Sequence, residues 1–201
     1  MAYHITDIRY CAPDSYPFYF FDANSWIAVL KNSGVFAVDS HEQPYVDLFE
    51  AIITTHTHKG TKQAKQVRHF PKIVVTSLLL SEIFNAYMRN VAMKVFYGAA
   101  GFKTKSFKTD YRPTPDYKKQ IKNLTSDFIA FKDYIEIRDD RLTEIDPFSI
   151  LPSLDESNDF NDFFYYYSFQ GTGIPIVTHD SDYQYQDIPI ITAQHKLLSI
   201  K

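Results

Sequence analysis

Apolar runs only four or five residues long recur along this chain, and acidic residues stand directly behind them. Phe18-Tyr19-Phe20-Phe21 runs into Asp22, and Ile174-Pro175-Ile176-Val177-Thr178 runs into His179-Asp180-Ser181-Asp182. Lys72-Ile73-Val74-Val75-Thr76 leads into a helical stretch carrying Glu82, and residues 188–192 supply a last run. Runs this short and this uniformly apolar are the mark of strands buried on both faces. Between them lie longer stretches with helical periodicity. Pro44 opens one, with Tyr45, Leu48, Phe49, Ile52 and Ile53 on a single face. Ser77 is the expected N-cap of another, over residues 78–97, and further helices are expected over 115–131 and 159–171, with helical pieces around 141–151 interrupted by Pro147 and a polar, acidic loop over 152–158. Strands alternating with helices predict an α/β fold with a central, mostly parallel sheet flanked by helices. In such sheets ligands bind outside the carboxyl ends of the strands, which is where the acidic residues fall.

The 201 residues suit one domain spanning 1–201. A single cysteine, Cys11, excludes an internal disulfide. No apolar run approaches the roughly 18 residues that span a bilayer, so no membrane role is expected and the cytoplasm is the default location. With six glycines in all, a Gly-rich phosphate loop is absent. The net charge of −3 hides an asymmetry. Nine Lys and Arg between residues 89 and 122 face only Asp110 and Asp116, whereas fourteen Asp and Glu between 127 and 187 face three basic residues. That division suits a protein holding a polyanion in one place and a cation in another, and it also suits ordinary solvated surface. Residues of about 98–125 are expected to form a basic loop or insertion, irregular over 98–117, where Gly98, Gly101, Pro113 and Pro115 break the pattern.

Each acidic position has an ordinary alternative. Asp22 and Asp159 fit helix N-caps, Glu82 an early-turn helical residue, and Asp180 with Asp182 an Asx-turn. Asp162 is placed inside a helix beside Phe163 and Phe164. As a set they can converge, and clustered carboxylates stay ionised only beside cations, with Mg²⁺ or Mn²⁺ the natural match. Such a site activates water and stabilises charge on a phosphoryl group. His56 and His58, two residues apart with no third ligand nearby, do not make a zinc site.

Asp22-Ala23-Asn24, the helix carrying Glu82, Asp162, and Thr178-His179-Asp180-Ser181-Asp182 followed by Tyr183 together resemble the PIN-domain nucleases, in order and rough spacing, from about residue 18 to 192. The resemblance implies a three-layer fold and a Mg²⁺- or Mn²⁺-dependent ribonuclease cutting single-stranded RNA, in a family that includes toxins of toxin–antitoxin pairs. It implies Asp22, Glu82, Asp162 and Asp180 as metal ligands and catalytic residues. Asn24, Thr178 and Asp182 would support them, and Asp159 competes with Asp162 for the third acidic place. Lys62, Arg89, Lys103, Lys105, Lys108 and Arg112 would bind RNA, with Lys65 and Arg68, and Phe102, Phe107 and Tyr111 would stack unpaired bases. An antitoxin protein and a second copy of the chain are the implied protein partners. The alternatives are a PIN-like module that binds RNA or protein without catalysis, and a nuclease acting on DNA.

Overall fold

The computed structural model describes residues 3–34, 36–154 and 159–200. Six strands form one all-parallel sheet: β1 (His4–Asp7), β2 (Phe18–Phe21), β3 (Lys72–Val75), β4 (Ile135–Ile137), β5 (Ile176–Val177) and β6 (Pro189–Thr192). Their order across the sheet is β1-β6-β5-β2-β3-β4. One row of paired residues crosses it: Ile5, Ile190, Ile176, Phe20, Val74 and Glu136. The central runs are apolar on both sides because both faces are covered. Phe20 packs on Tyr165 and Phe169 of α7 (Phe160–Phe169), with ring centroids at 4.8 and 4.4 Å. Its neighbour Phe21 points to the other face and meets Phe49 of α2 (Gln43–Thr57) edge-on at 5.4 Å. Two successive residues of one strand thus touch helices in two different layers, which makes the three-layer architecture.

The α2 layer also holds α1 (Ala23–Ser33), α3 (Ser77–Ala86) and α5 (Pro115–Ala130). Trp26 is its hub, fully buried against Phe49, Phe128 and Phe131. Side-chain caps set where the helices begin. Asp22 caps α1, Thr114 caps α5 ahead of Pro115, and Asp159 caps α7. The cap of α3 is Thr76, whose hydroxyl accepts from the Leu79 amide, rather than Ser77.

Three further expectations change. The helix after β3 is not continuous to residue 97: α3 passes through a π-helical stretch, Tyr87–Ala92, into α4 (Met93–Phe102), with Gly98 at φ +68° as a kink. The segment expected as an irregular basic loop is largely helical, with a π turn at Phe107–Tyr111 leading to α5. Gly98 is absorbed at a kink and Pro115 at a helix start, while Gly101 stays helical and Pro113 lies in the turn before α5. Pro147 opens α6 (Pro147–Ile150) instead of interrupting a helix. Of the acidic loop expected before Asp159, residues 155–158 lie outside the described ones. Strand β1 and the last helix, α8 (His195–Leu198), extend the layers at the β6 side. No helix among the described residues is long and apolar enough to cross a membrane.

Candidate active site

From β2 the chain moves outward to β3 and β4, then returns to the other side of β2 to lay down β5 and β6. The carboxyl ends of β2 and β5 therefore flank the point where strand order reverses, where a crevice forms between diverging connections. Asp22 directly follows β2 and Thr178 directly follows β5. Their backbones are tied: the Asp22 amide and the Ser25 hydroxyl both donate to the Val177 carbonyl at 3.0 Å.

Asp22 is buried, and its two oxygens are both engaged. The Ser25 amide donates to Oδ1 at 2.7 Å, and the Thr178 hydroxyl donates to Oδ2 at 2.5 Å. Burial pushes its carboxyl up to about 6; these hydrogen bonds pull it down, and the charge of Asp180 adds to the rise. Thr178 Oγ1 in turn accepts from the Asp180 amide at 2.9 Å, and Asp180 Oδ1 accepts from the Asp182 amide at 3.0 Å. Asp180 and Asp182 thus form an Asx-turn that also fixes Asp180 at the strand end. Asp182 faces outward, 3.7 Å from Lys196.

Asp162 sits in the first turn of α7 and is the acid that faces this pair. Burial pushes it up to about 7, against the pull of the nearby Tyr183 hydroxyl, and the charges of Asp159, Asp180 and Asp22 raise it further. The Tyr183 hydroxyl is itself buried and approaches Asp162 without closing a full hydrogen bond. Asp159 is exposed and spends its side chain on the Asp162 amide at 3.0 Å, the work of an N-cap. Glu82, half-buried and raised by burial, is held by Tyr165 (2.9 Å) and Asn161 (3.1 Å) and feels the charge of Asp159. Asn24 is exposed in the first turn of α1.

The grouping therefore has a centre, Asp22, Asp162 and Asp180, with Glu82 beside it. The donor chemistry fits a hard divalent cation: carboxylates that repel each other around one buried, unpartnered hydroxyl. The spacing is looser than a closed cage. Among the described residues, the one set of three or more ligand atoms within 4.8 Å of one another belongs to Asp39, His41 and Glu42. That set is already served by Lys31, whose Nζ lies 2.5 Å from Glu42 and 3.7 Å from Asp39. A cation among Asp22, Asp162 and Asp180 would keep several waters, as Mg²⁺ ordinarily does.

Arg89, Lys108 and Arg112 converge on a second cleft, of about 220 Å³, with Phe107 and Tyr117. The Arg89 guanidinium lies 4.3 Å over the Phe107 ring. Among the described residues none of these three cations has a carboxylate partner within 4.0 Å. Lys103 and Lys105 are exposed on the same stretch, whereas Lys62, Lys65 and Arg68 lie ahead of β3, on the approach to the amino edge of the sheet. Tyr111 is fully buried with its hydroxyl on Asp116, and Phe102 and Phe107 pack against the core. Tyr111 cannot stack on a base. His56 is a packing residue whose Nε2–H donates to the Pro71 carbonyl at 2.7 Å. Cys11 is half-buried, packs against the core and lies beside the Ala12 carbonyl.

The sequence had no signal for Tyr165, Asn161 or the unpartnered state of Tyr183, since each depends on residues distant along the chain. No family model, no curated protein and no solved structure matches this chain.

Proposed function

We propose that this chain is a PIN-like nuclease that depends on Mg²⁺ or Mn²⁺ and hydrolyses phosphodiester bonds of single-stranded RNA. The observation that carries the reading is the pair Asp22 and Asp162. Both are desolvated, both are raised toward neutrality, and both face Asp180 at the reversal point of a parallel sheet. Keeping ionisable groups in such a place is unfavourable unless a cation uses them. Asp22, Asp162 and Asp180 would hold the metal, with Glu82 oriented at its side by Tyr165 and Asn161. A bound metal supplies a polarised phosphoryl oxygen and an activated water. Thr178 does the positioning: one hydroxyl donates to Asp22 and accepts from the Asp180 amide, so the two acids share one anchor. Arg89, Lys108 and Arg112 grip the sugar–phosphate backbone, sequence-independently and with salt sensitivity.

Labelled single-stranded RNA incubated with Mn²⁺ or with EDTA, beside Asp22→Asn, tests this. Cutting that needs metal and is lost in the variant supports the reading; equal cutting by the variant removes Asp22 from it. A second reading, an RNA- or protein-binding module without catalysis, is favoured by the open spacing of the three central acids. It is selected over the first if RNA binds uncut and Mn²⁺ leaves the unfolding temperature unchanged.

A further inference from the structure

Beside the central acids, between α1, the start of α2 and the turn after β5, lies a cleft of about 400 Å³, of whose walls the proposed hydrolysis uses only Asp180. Its walls include Asn24, His41, Tyr45, His179, Asp180 and Gln194. The imidazoles of His41 and His179 lie 5.0 Å apart with a 38° tilt, and Tyr45 meets His179 edge-on at 5.5 Å. The ring of His179 is fixed. Its Nδ1 is 3.0 Å from the Tyr45 hydroxyl, which is itself anchored by the Ala193 amide at 2.8 Å. The cleft thus presents a preorganised aromatic surface, one edge of which is a half-buried imidazole.

Its polar groups narrow what fits. No Lys or Arg lines it, whereas Glu42 and Asp180 do. A phosphate is disfavoured there, in contrast to the basic cleft at Arg89. Among the described residues the amide of Asn24 and both ring nitrogens of His41 make no hydrogen bond, so donors and acceptors remain for a ligand. A flat, uncharged ring with hydrogen-bonding edges satisfies all of these features, and the volume suits one such unit. Asp180 is common to this cleft and to the acidic centre.

We propose that this cleft is a nucleobase subsite, which takes one unpaired base of the strand whose phosphate lies at Asp22 and Asp180. The identity of the strand rests on the nuclease reading; the preference for a neutral aromatic ring rests on the cleft itself. The base stacks on the outside of the imidazole pair, since a 5.0 Å spacing leaves no slot between the rings.

The test uses the full chain in EDTA, where no cutting occurs. Histidine side-chain NMR signals are followed while adenosine, and separately ribose 5-phosphate, are titrated to millimolar concentration. Adenosine is expected to move the His41 and His179 signals, ribose 5-phosphate is not, and His41→Ala, at an exposed position, is expected to weaken adenosine binding about five-fold or more. Silence toward adenosine, an equal response to ribose 5-phosphate, or unchanged affinity in His41→Ala overturns the subsite. RNA cutting without adenosine binding removes the subsite alone; adenosine binding without RNA cutting removes hydrolysis and leaves the subsite standing.

Discussion

Replacing Asp22 with Asn should make the metal-free protein more stable at neutral pH, even though it removes the residue most central to the site. The Asp22 carboxyl rises from 3.8 to about 6 on folding, because it is buried and faces Asp180. At 1.36 kcal/mol per unit this is about 3 kcal/mol. The sign follows from proton uptake. A raised acid binds its proton more tightly in the folded state, so its full stability is present below pH 3.8 and is lost as pH climbs to about 6. Asn does not ionise and escapes that loss. It keeps an acceptor for the Ser25 amide but offers Thr178 a donor where the hydroxyl needs an acceptor, at a cost of about 1 kcal/mol. Asp22→Asn should therefore gain about 2 kcal/mol at pH 7.5, roughly 4–8 °C in unfolding temperature, and lose about 1 kcal/mol below pH 4. Urea unfolding in EDTA, followed by emission of the sole tryptophan, the fully buried Trp26, reads this at each pH. Parallel stability profiles for the two proteins from pH 4 to 7.5 would refute the account of a desolvated, repelled carboxylate.

Other positions give independent checks. Tyr45→Phe leaves the Ala193 amide without its acceptor and frees the His179 ring, so a loss of about 1–3 kcal/mol is expected in urea unfolding. Gly98→Ala places a side chain at φ +68° and ψ 167°, where nothing lies within 4 Å of the new Cβ, so only backbone strain acts; a thermal scan should show a loss of about 1–3 kcal/mol. Charge reversal of Lys108 and Arg112 together should weaken RNA binding across sequences and flatten its dependence on salt, with the unfolding temperature nearly unchanged because both side chains are exposed. An unaltered salt slope would move the RNA path away from that cleft.

The strands that the sequence reveals are those buried on both faces. Phe18–Phe21 and Lys72–Val75 are continuous apolar runs because helices cover them above and below. His4–Asp7 has no such pattern: it is a four-residue edge strand, half-buried and half polar, paired only with β6. Gly98 and Pro115 read as breaks in the chain, yet one is tolerated as a kink within a helix and the other suits the first turn of α5 after Thr114. At the site, Asp22 and Asp180 were legible because a carboxylate behind a buried run must sit at a strand end. What was not legible is pairing over distance. Tyr45 with His179, or Tyr165 with Glu82, joins segments 134 and 83 residues apart. Local periodicity carries no information about such contacts.

The hydrogen bond from Thr178 to Asp22 bridges 156 positions of the chain. During synthesis Asp22 emerges well before its partner and before the strand that precedes that partner. A chain that contains β2, β3 and β4 but not β5 lacks Thr178, so Asp22 is held by the Ser25 amide alone. The full hydrogen-bonding arrangement at this edge is therefore assembled only once β5 has docked beside β2.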